Sequence, residues 1–274
     1  MTIPEVLVDE IDVALDRLRN ELRNLETVIV AFSGGADSAL LAWVANDVLP
    51  TTSTSVTAVS PSLAQSERAD CAELAAEWGL NWIEVETSEL EDLHYQQNDK
   101  DRCFHCKTAL MDVVEPMASD RSAVVLLGVN LDDLADHRPG QRAASERGAQ
   151  FPLVDAGFTK DMVRAASKRL GLRTWDKPAA ACLSSRVPYG TSVTVAVLSS
   201  VERAEAALHK MGFLELRVRH YEDTARIEVP LHDLARLLES RAAVVEAVRS
   251  VGYRYVTVDF EGLRSGNLNA ALER

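Results

Sequence analysis

The chain has 274 residues, of which 47% are apolar and 26% are charged, and its formal net charge at pH 7 is −13. This composition is typical of a globular protein and excludes an intrinsically disordered chain. The negative charge works against a broad electrostatic attraction to a phosphate backbone, so no nucleic-acid partner is expected. No run of about 18 apolar residues occurs, and the first residues resemble neither a secretory signal nor a transit peptide. We therefore expect a cytoplasmic protein with no membrane partner.

Short apolar segments alternate with helical periodicity over roughly the first two thirds of the chain. The predicted strands are residues 27–33, 53–60, 81–88 and 123–130, and the predicted helices are residues 1–24, 36–49, 66–79 and about 106–118. Strands that are separated by helices predict a parallel sheet covered on both faces. We therefore predict a doubly wound α/β domain over residues 1–190.

The pattern changes after the turn VPYGTS at residues 187–192. A turn or strand leads into a helix that ends near residue 213, two alternating strands follow, one long helix is predicted over residues 232–253, and a last strand over residues 254–262. These elements predict a smaller α+β domain over residues 191–274.

The stretch FSGGADS, residues 32–38, lies between the first strand and the first helix of the sheet. Gly34 and Gly35 let the backbone fold closely around an anion, the amides of the following helix point at it, and Ser33 and Ser38 add hydroxyl donors. No lysine follows the glycines, as it does in a Walker A loop, and the third glycine of the dinucleotide fingerprint is missing. The pattern predicts a phosphate-binding loop of another class; the alternative is an ordinary glycine-rich turn.

A second candidate segment, GVNLDDLAD, follows the strand at residues 123–130. Gly128 lies at the carboxyl edge of the predicted sheet, where open α/β folds bind their ligands, and Val59 occupies the corresponding position after the second strand. An amide and three carboxylates gather beside Gly128, from Asn130, Asp132, Asp133 and Asp136. They are candidates for a magnesium ion or a ribose, whereas helix capping is the alternative, especially for Asp132.

The four cysteines are too few for a disulfide scaffold. Cys182 stands among polar residues, and Arg186 with Lys177 is expected to favour its thiolate, so we predict a reactive thiol; the alternative is a buried packing residue. Cys103 and Cys106 have the spacing of half a zinc or iron–sulfur site or of a dithiol, but a second pair is missing and no bound metal is expected. Cys71 lies among alanines and is predicted to be a core residue.

Two arginines alternate along the first strand of the smaller domain. Arg217 and Arg219 therefore face the same side of that strand, where they are candidates for binding a substrate phosphate. The alternative is that these arginines are solvated or form salt bridges on an exposed face of the sheet. Glu205 and Glu228 are weaker candidates for a metal or substrate role.

These motifs carry a family resemblance. The SGGADS loop resembles the SGGxDS loop of the PP-loop ATP pyrophosphatases, which have a Rossmann-like fold and transfer AMP to an acceptor. Together with GVNLDD, DHRPG and ACLSSR followed by PYG, in this order over about residues 25–265, it resembles the LarE family of ATP-dependent sacrificial sulfur transferases. Members of that family serve synthesis of the nickel-pincer nucleotide cofactor.

The resemblance implies ATP and Mg²⁺ as cofactors and a pyridinium-3,5-dicarboxylate mononucleotide as substrate. The implied phosphate-binding residues are Ser33, Gly34, Gly35, Asp37 and Ser38, with Asp37 also placing the metal. Val59, Gly128 and Asp133 are the further nucleotide-binding candidates, from their position at the edge of the sheet. Cys182, assisted by Arg186, is implied to give its own sulfur to the adenylated carboxylate and to become dehydroalanine. Arg217 and Arg219 are implied to hold the substrate phosphate. A homo-oligomer is implied too, with a hexamer as one candidate and with the domain over residues 191–274 serving substrate binding and oligomerisation.

Two other functions remain open from the residues alone. A tRNA-thiolating PP-loop enzyme needs a basic RNA-binding face, which the net charge of −13 disfavours. A nucleotide-binding regulator without catalysis has no need for Cys182. Pyrophosphate release separates the three functions: it would depend on tRNA in the first alternative, on a pyridinium nucleotide in the sulfur transferase, and would be absent in the regulator.

Overall fold

The structure is a computed structural model that describes residues 5–134, 139–178 and 181–264, together with residue 267. The chain divides into two compact units. The first comprises Met1–Ser60, Gln65–Glu89 and Cys103–Ala180, and the second comprises Pro61–Ala64, Leu90–Arg102 and Ala181–Arg274. The second unit thus includes two short segments from the first half of the chain. The domain boundary at residue 190 stays a prediction.

The elements follow one another along the chain mostly as the periodicity predicts. The strands are β1 (Val28–Ala31), β2 (Ser53–Val59), β3 (Trp82–Glu86), β4 (Val124–Leu127), β5 (Arg217–Tyr221), β6 (Thr224–Glu228) and β7 (Tyr255–Val258). The helices are α1 (Glu5–Leu25), α2 (Ala36–Val48), α3 (Gln65–Trp78), α4 (Leu93–Gln97), α5 (Arg102–Arg121), α6 (Pro139–Glu146), α7 (Pro152–Asp155), α8 (Lys160–Arg169), α9 (Val195–Lys210), α10 (Leu234–Glu239) and α11 (Arg241–Ser250). Among the described residues, none of these helices combines the length and the apolar character that crossing a bilayer requires.

The first unit contains a parallel sheet with the strand order β3–β2–β1–β4. Both faces of this sheet are buried: Val28 and Val30 of β1 pack in one apolar cluster with α1, α2 and α8, whereas Ile29 packs in another with α5. Burial on both faces explains why β1 and β4 are continuous apolar runs. The predicted doubly wound α/β fold is confirmed.

The strand order places a switch point between β1 and β4. The chain moves from β1 to β2 on one side, whereas β4 is added on the other side of β1. Ligands of open α/β sheets bind outside the carboxyl ends of the strands at such a point. The glycine loop after β1 and the segment that begins at Gly128 both lie there, because Ala31 and Leu127 are direct partners in the sheet.

Gly128 packs directly against the first turn of α2. A Cβ atom at this position would lie 2.6 Å from the backbone nitrogen of Ser38 and 2.8 Å from the carbonyl carbon of Asp37. Backbone atoms cannot rotate away as a flexible side chain can, so glycine is required by the fold itself. Whether a nucleotide base also contacts Gly128 stays a prediction.

The second unit contains a three-stranded mixed sheet in the order β5–β6–β7, antiparallel between β5 and β6 and parallel between β6 and β7. Its apolar core joins this sheet to α9, α10 and α11. The prediction of one long helix over residues 232–253 is wrong, because α10 ends at Glu239 and α11 begins at Arg241, with Ser240 as the cap residue between them. The ψ angle of Ser240 is 7°, far from the value of about −42° in an α-helix. Serine favours helix ends because its hydroxyl competes for backbone hydrogen bonds.

We expect Gly128→Ala to lower the free energy of unfolding by about 3 kcal/mol, because the added methyl group would overlap backbone atoms of α2. Gly79→Ala is the control. Gly79 has a φ of +63° but nothing within 4 Å of an added Cβ, so only backbone strain of about 1 kcal/mol is expected there. Denaturant unfolding of both variants checks this, and equal losses would contradict the packing argument.

Candidate functional site

The glycine loop is held in shape by its own two serines. The Oγ atom of Ser38 accepts a hydrogen bond from the backbone nitrogen of Ser33 at 3.2 Å, lies 3.1 Å from the Oγ atom of Ser33, and donates to the carbonyl oxygen of Gly35 at 3.1 Å. Gly34 has a φ of +68°, in the left-handed region that favours glycine. The loop is therefore preformed, with Ser33 exposed and Ser38 buried beneath it.

The loop leads directly into α2, whose first turn has no side-chain cap. Gly35 is the N-cap residue, and it has no side chain to accept a hydrogen bond from the first amides. Uncapped amides at the start of a helix are donors for an anion, and the helix dipole favours negative charge there. This geometry fits the predicted binding of a phosphate by Ser33, Gly34, Gly35 and Ser38, which stays a prediction.

A buried asparagine links the start of α2 to the segment after β4. Asn130 is only 1% exposed, and its Nδ2 atom donates to Oδ1 of Asp37 at 2.8 Å. Its own Oδ1 atom accepts hydrogen bonds from the backbone nitrogens of Asp132 and Asp133, at 3.0 and 3.2 Å. Asn130 therefore orients the Asp37 carboxylate, which is a positioning role that the sequence reasoning did not assign to it.

The acidic residues of this segment separate into different roles. Asp132 accepts a hydrogen bond at 2.6 Å from the backbone nitrogen of Lys160, the first residue of α8, whose N-cap residue is Thr159. Because α8 is not the next helix along the chain, capping of the next helix by Asp132 stays a prediction. Asp133 is 7% exposed, and its Oδ2 atom faces the backbone nitrogen of Asn130 at 3.4 Å. Asp136 lies outside the described residues. Val59 ends β2 at the same edge of the sheet, and its nucleotide contact stays a prediction.

Cys182 in the second unit has an exposed side chain, so the alternative of a buried packing residue is wrong. It directly precedes a short 3-10 turn, Leu183–Arg186. Arg186 pairs with Glu205 through Nε and Nη2, at 2.9 and 3.1 Å, and its Nη1 atom donates to the carbonyl oxygen of Cys182 at 3.1 Å. The guanidinium group thus binds the backbone of the cysteine residue, and its predicted effect on the thiolate stays a prediction.

The remaining cysteines differ from Cys182 in burial. Cys71 is a core residue, as predicted, and burial raises the pKa of its thiol to about 11. Cys103 is exposed and Cys106 half-buried, both near the start of α5. Within the ranges that the structure describes, no three side chains of histidine, cysteine, aspartate or glutamate are grouped as metal ligands. The role of the Cys103–Cys106 pair stays open.

Sequence reasoning missed the residue that holds the turn after Cys182. Asn98 has no exposed surface, and its Nδ2 atom donates to the carbonyl oxygens of Val187, Pro188 and Thr191 at 3.2, 2.8 and 3.0 Å. Its backbone oxygen accepts from the nitrogen of Gly190 at 3.1 Å. A single asparagine about 90 residues away thus satisfies three carbonyl groups of one turn. No periodicity or spacing in the sequence signals such a contact.

Two further buried side chains hold the segment between Cys182 and this turn. Arg102 donates from Nη1 to the Oδ1 atom of Asn98 at 2.5 Å and to the carbonyl oxygen of Ser184 at 2.9 Å. The hydroxyl of Tyr95, which is 1% exposed, lies 2.6 Å from Oγ of Ser184 and 2.7 Å from Oγ of Ser62. The thiol is therefore exposed on a loop whose backbone is fixed by buried polar contacts.

The two arginines of β5 differ in burial and in the partners of their side chains. Arg219 is 2% exposed, binds Oε2 of Glu228 at 2.8 and 3.0 Å, and donates to the carbonyl oxygen of Ser185 at 2.7 Å, so the salt-bridge alternative is confirmed for it. Arg217 is half-buried, and its side chain has no hydrogen bond or ion pair with any described residue. Burial, followed by the positive charges of Arg186 and Arg219, lowers the pKa of Arg217. An anion at Arg217 would relieve both effects.

Glu205 and Glu228 are engaged as partners of these guanidinium groups. Glu205 binds Arg186 and accepts from the backbone nitrogen of Val218 at 2.9 Å. Glu228 has no exposed surface, and besides Arg219 it binds Arg226 at 3.0 Å. Their contacts therefore favour a structural role over the weaker metal or substrate role.

The chain is similar to curated proteins over nearly its whole length, although no family model matches it. An uncharacterised protein of Synechocystis sp. is 42% identical over 95% of this chain and 98% of that protein. The pyridinium-3,5-bisthiocarboxylic acid mononucleotide synthase of Lactiplantibacillus plantarum is 38% identical over 92% of each chain. An uncharacterised protein of Methanocaldococcus jannaschii is 25% identical over 92% of this chain and 97% of that protein.

The parallel sheet with helices on both faces and a glycine loop at its switch point defines a Rossmann-like α/β protein. The similarity to the Lactiplantibacillus plantarum synthase extends through both units. The chain belongs to the LarE family, and the resemblance seen in its motifs is confirmed.

We expect Asn98→Gly to lower the free energy of unfolding by about 2 kcal/mol, because buried carbonyl groups lose their donor. Asn98→Ala should lose about 1 kcal/mol more, since the φ of residue 98 is +55° and alanine is strained there. Gln97→Ala is the control, because its side chain is exposed on the neighbouring residue. Denaturant unfolding measures all three. If Asn98→Gly is as stable as the unaltered protein, the side-chain contacts of Asn98 do not hold the turn.

Proposed function

We propose that this protein is an ATP-dependent sulfur transferase that acts on a pyridinium-3,5-dicarboxylate mononucleotide in synthesis of the nickel-pincer nucleotide cofactor. The observation that carries the proposal is the exposed thiol of Cys182 on a backbone fixed from both sides. The glycine loop at the sheet edge supplies the second requirement, a place for the phosphates of ATP. Similarity to a synthase that is named for a bisthiocarboxylic acid mononucleotide supports the substrate class.

The first step activates a carboxylate, which is a poor electrophile in its free form. A carboxylate oxygen of the substrate attacks the α-phosphorus of ATP, the bond to the β-phosphate oxygen breaks, and pyrophosphate leaves. The amides at the start of α2 and the hydroxyl of Ser33 stabilise the charge that develops on the leaving group. The product is an acyl-adenylate, whose AMP is a good leaving group.

Asp37 is the residue of this loop that fits a metal ion. Its Oδ1 atom is held by Asn130, whereas Oδ2 has no hydrogen bond with a described residue, and carboxylate oxygens are preferred ligands of Mg²⁺. Mg²⁺ that is bound with ATP would neutralise part of the phosphate charge.

The second step transfers the acyl group to the cysteine. The thiolate of Cys182 attacks the carbonyl carbon of the acyl-adenylate, AMP leaves, and a thioester forms. Because the thiol is exposed, its proton can pass to solvent. Because the backbone is fixed, the sulfur atom has fewer positions available, and less entropy is lost when it reaches the carbonyl carbon.

The third step releases the sulfur. A base removes the Cα proton of Cys182, the electron pair forms a Cα–Cβ double bond, and the Cβ–S bond breaks, so that a thiocarboxylate leaves and dehydroalanine remains. Negative charge that develops at Cα spreads onto the carbonyl oxygen of Cys182, to which the guanidinium group of Arg186 donates at 3.1 Å. Arg186 is therefore placed to stabilise this charge, as a donor in an oxyanion hole does.

Cys182 should be consumed by the reaction, so intact-protein mass spectrometry after incubation with ATP, Mg²⁺ and the dicarboxylate nucleotide tests the proposal. We expect the mass to fall by one hydrogen sulfide molecule, with dehydroalanine at residue 182 and one turnover per chain. Cys182→Ala should still release pyrophosphate but form no thiocarboxylate, because the glycine loop is unchanged. Asp37→Ala should release none.

Several turnovers without an added sulfur source, with an unchanged mass, would contradict a sacrificial cysteine and point to a relay through Cys103 and Cys106. Pyrophosphate release that requires tRNA would point to the tRNA-thiolating alternative. An absence of release under every condition would point to a nucleotide-binding regulator.

Arg217→Gln should weaken binding of the dicarboxylate nucleotide at least about tenfold, because the half-buried guanidinium group is available to its phosphate. Affinity for ATP and stability should change little. Arg219→Gln should instead lower the free energy of unfolding by about 3 kcal/mol or more, since it leaves Oε2 of the buried Glu228 without the guanidinium group that binds it. Arg254→Gln, which removes an exposed charge from the same unit, is the control. Isothermal titration calorimetry and denaturant unfolding provide the measurements, and unchanged nucleotide affinity in Arg217→Gln would remove Arg217 from the substrate site.

A further inference from the structure

A lysine from a distant part of the chain lies beside the glycine loop. The Nζ atom of Lys177 is 3.6 Å from the place that a Cβ atom on Gly34 would occupy. The sequence comparison with Walker A loops finds no lysine after the glycines of residues 32–38. The fold supplies one from 143 positions further along the chain, counted from residue 34 to residue 177.

We propose that Lys177 is the cationic phosphate ligand of this loop and binds the β- or γ-phosphate of ATP. The inference rests on the proposed function only in taking ATP as the nucleotide of the loop. It assigns Lys177 to the phosphates instead of to the thiolate of Cys182.

The backbone around Lys177 is held by the first unit itself. Arg164 of α8 donates from Nη2 to the carbonyl oxygen of Lys177 at 3.2 Å and from Nη1 to that of Trp175 at 3.4 Å. The backbone nitrogen of Lys177 donates to the carbonyl oxygen of Thr174 at 3.2 Å. These contacts fix the starting point of the side chain, which then extends to α3 and the glycine loop.

The ammonium group is held in place and kept charged by two carboxylates of α3. Nζ donates to Glu67 at 2.8 Å and to Asp70 at 2.6 Å, and the side chain is 18% exposed. Burial alone lowers the pKa of Lys177, but the hydrogen bonds with Asp70 and Glu67 outweigh it, so the pKa is raised. An ammonium group has three N–H donors, and two of them point at these carboxylates, which leaves one for a phosphate oxygen.

A lysine at this position would add a positive charge to a loop whose other phosphate donors are neutral. The amides of α2 and the hydroxyl of Ser33 are neutral donors, whereas pyrophosphate leaves with several negative charges. A charged donor makes a shorter and stronger hydrogen bond to a phosphate than a neutral one does. The effect should be largest for nucleotides that carry β- and γ-phosphates and absent for AMP.

The competing explanation is that Lys177 only ties its segment to α3 by ion pairs. Arg173 is a matched control, because it binds the same Asp70 at 2.6 Å and also Glu77 at 3.0 Å. Its side chain is 42% exposed, and it is not among the three nearest neighbours of an added Cβ on Gly34. A purely structural role predicts similar effects for the two residues.

The test is calorimetric binding of ATP with Mg²⁺ and of AMP to the full chain, without the pyridinium substrate. Lys177→Gln should weaken ATP binding at least about tenfold and leave AMP binding unchanged, Lys177→Arg should recover part of the ATP affinity, and Arg173→Gln should bind both nucleotides normally. Unchanged ATP affinity in Lys177→Gln, or equal losses for ATP and AMP, would overturn the proposal.

A measurement on the unaltered protein keeps the test decisive if Lys177→Gln does not fold. Acetylation of Lys177 by an amine-reactive ester, followed by peptide mass spectrometry, should slow severalfold in the presence of ATP with Mg²⁺ and not with AMP. Equal labelling with both nucleotides would overturn the proposal. If ATP binds and protects Lys177 but no sulfur is transferred, the proposed function fails while this inference stands; if the unaltered protein binds no ATP, both fail.

Discussion

The close approach of Gly128 to the first turn of α2 is the contact on which the first unit depends. Because β1 and β4 are adjacent, the segments that follow them must pass each other where their strands end. This is possible only where one of them lacks a side chain, since a Cβ at residue 128 would overlap the backbone of Asp37 and Ser38. The contact then brings Asn130 within reach of Asp37 and places Asp132 at the start of α8. The absence of a side chain at residue 128 thus allows Asp37, Asn130 and Asp132 to make these contacts at one edge of the sheet.

The second unit shows a different arrangement, in which an exposed reactive group is supported by buried polar ones. Cys182 is exposed, whereas Asn98, Arg102 and Tyr95 are almost completely buried. Buried polar groups without partners are costly, so each of them fixes the loop strongly once its hydrogen bonds are made. The thiol of Cys182 is therefore exposed on a loop whose backbone is already ordered by these hydrogen bonds.

Guanidinium groups illustrate how burial and pairing separate similar residues. Arg186 and Arg219 are each bound to a buried glutamate and to a carbonyl oxygen near Cys182, and so their charges are engaged in the fold. The positive charges of Arg186 and Arg219 act on Arg217, whose own side chain has no such partner among the described residues. Its lowered pKa reflects a cation that is half removed from water beside two others. A substrate phosphate is the kind of group that would stabilise it.

The sequence by itself determined the alternation of strands and helices, the parallel sheet, the glycine loop and the LarE family, because these features depend on local periodicity and on motifs of a few adjacent residues. It also identified Cys182 as a reactive thiol candidate from its polar neighbours. Only the tertiary structure decided which of Arg217 and Arg219 is engaged in a salt bridge, that Asp132 binds the backbone nitrogen of the first residue of α8, and that α10 and α11 are separate helices. It alone brought Asn98 to the turn after Cys182 and Lys177 to Gly34. Contacts between residues about 90 or more positions apart leave no periodic signal, because they depend on how the packed elements direct each side chain.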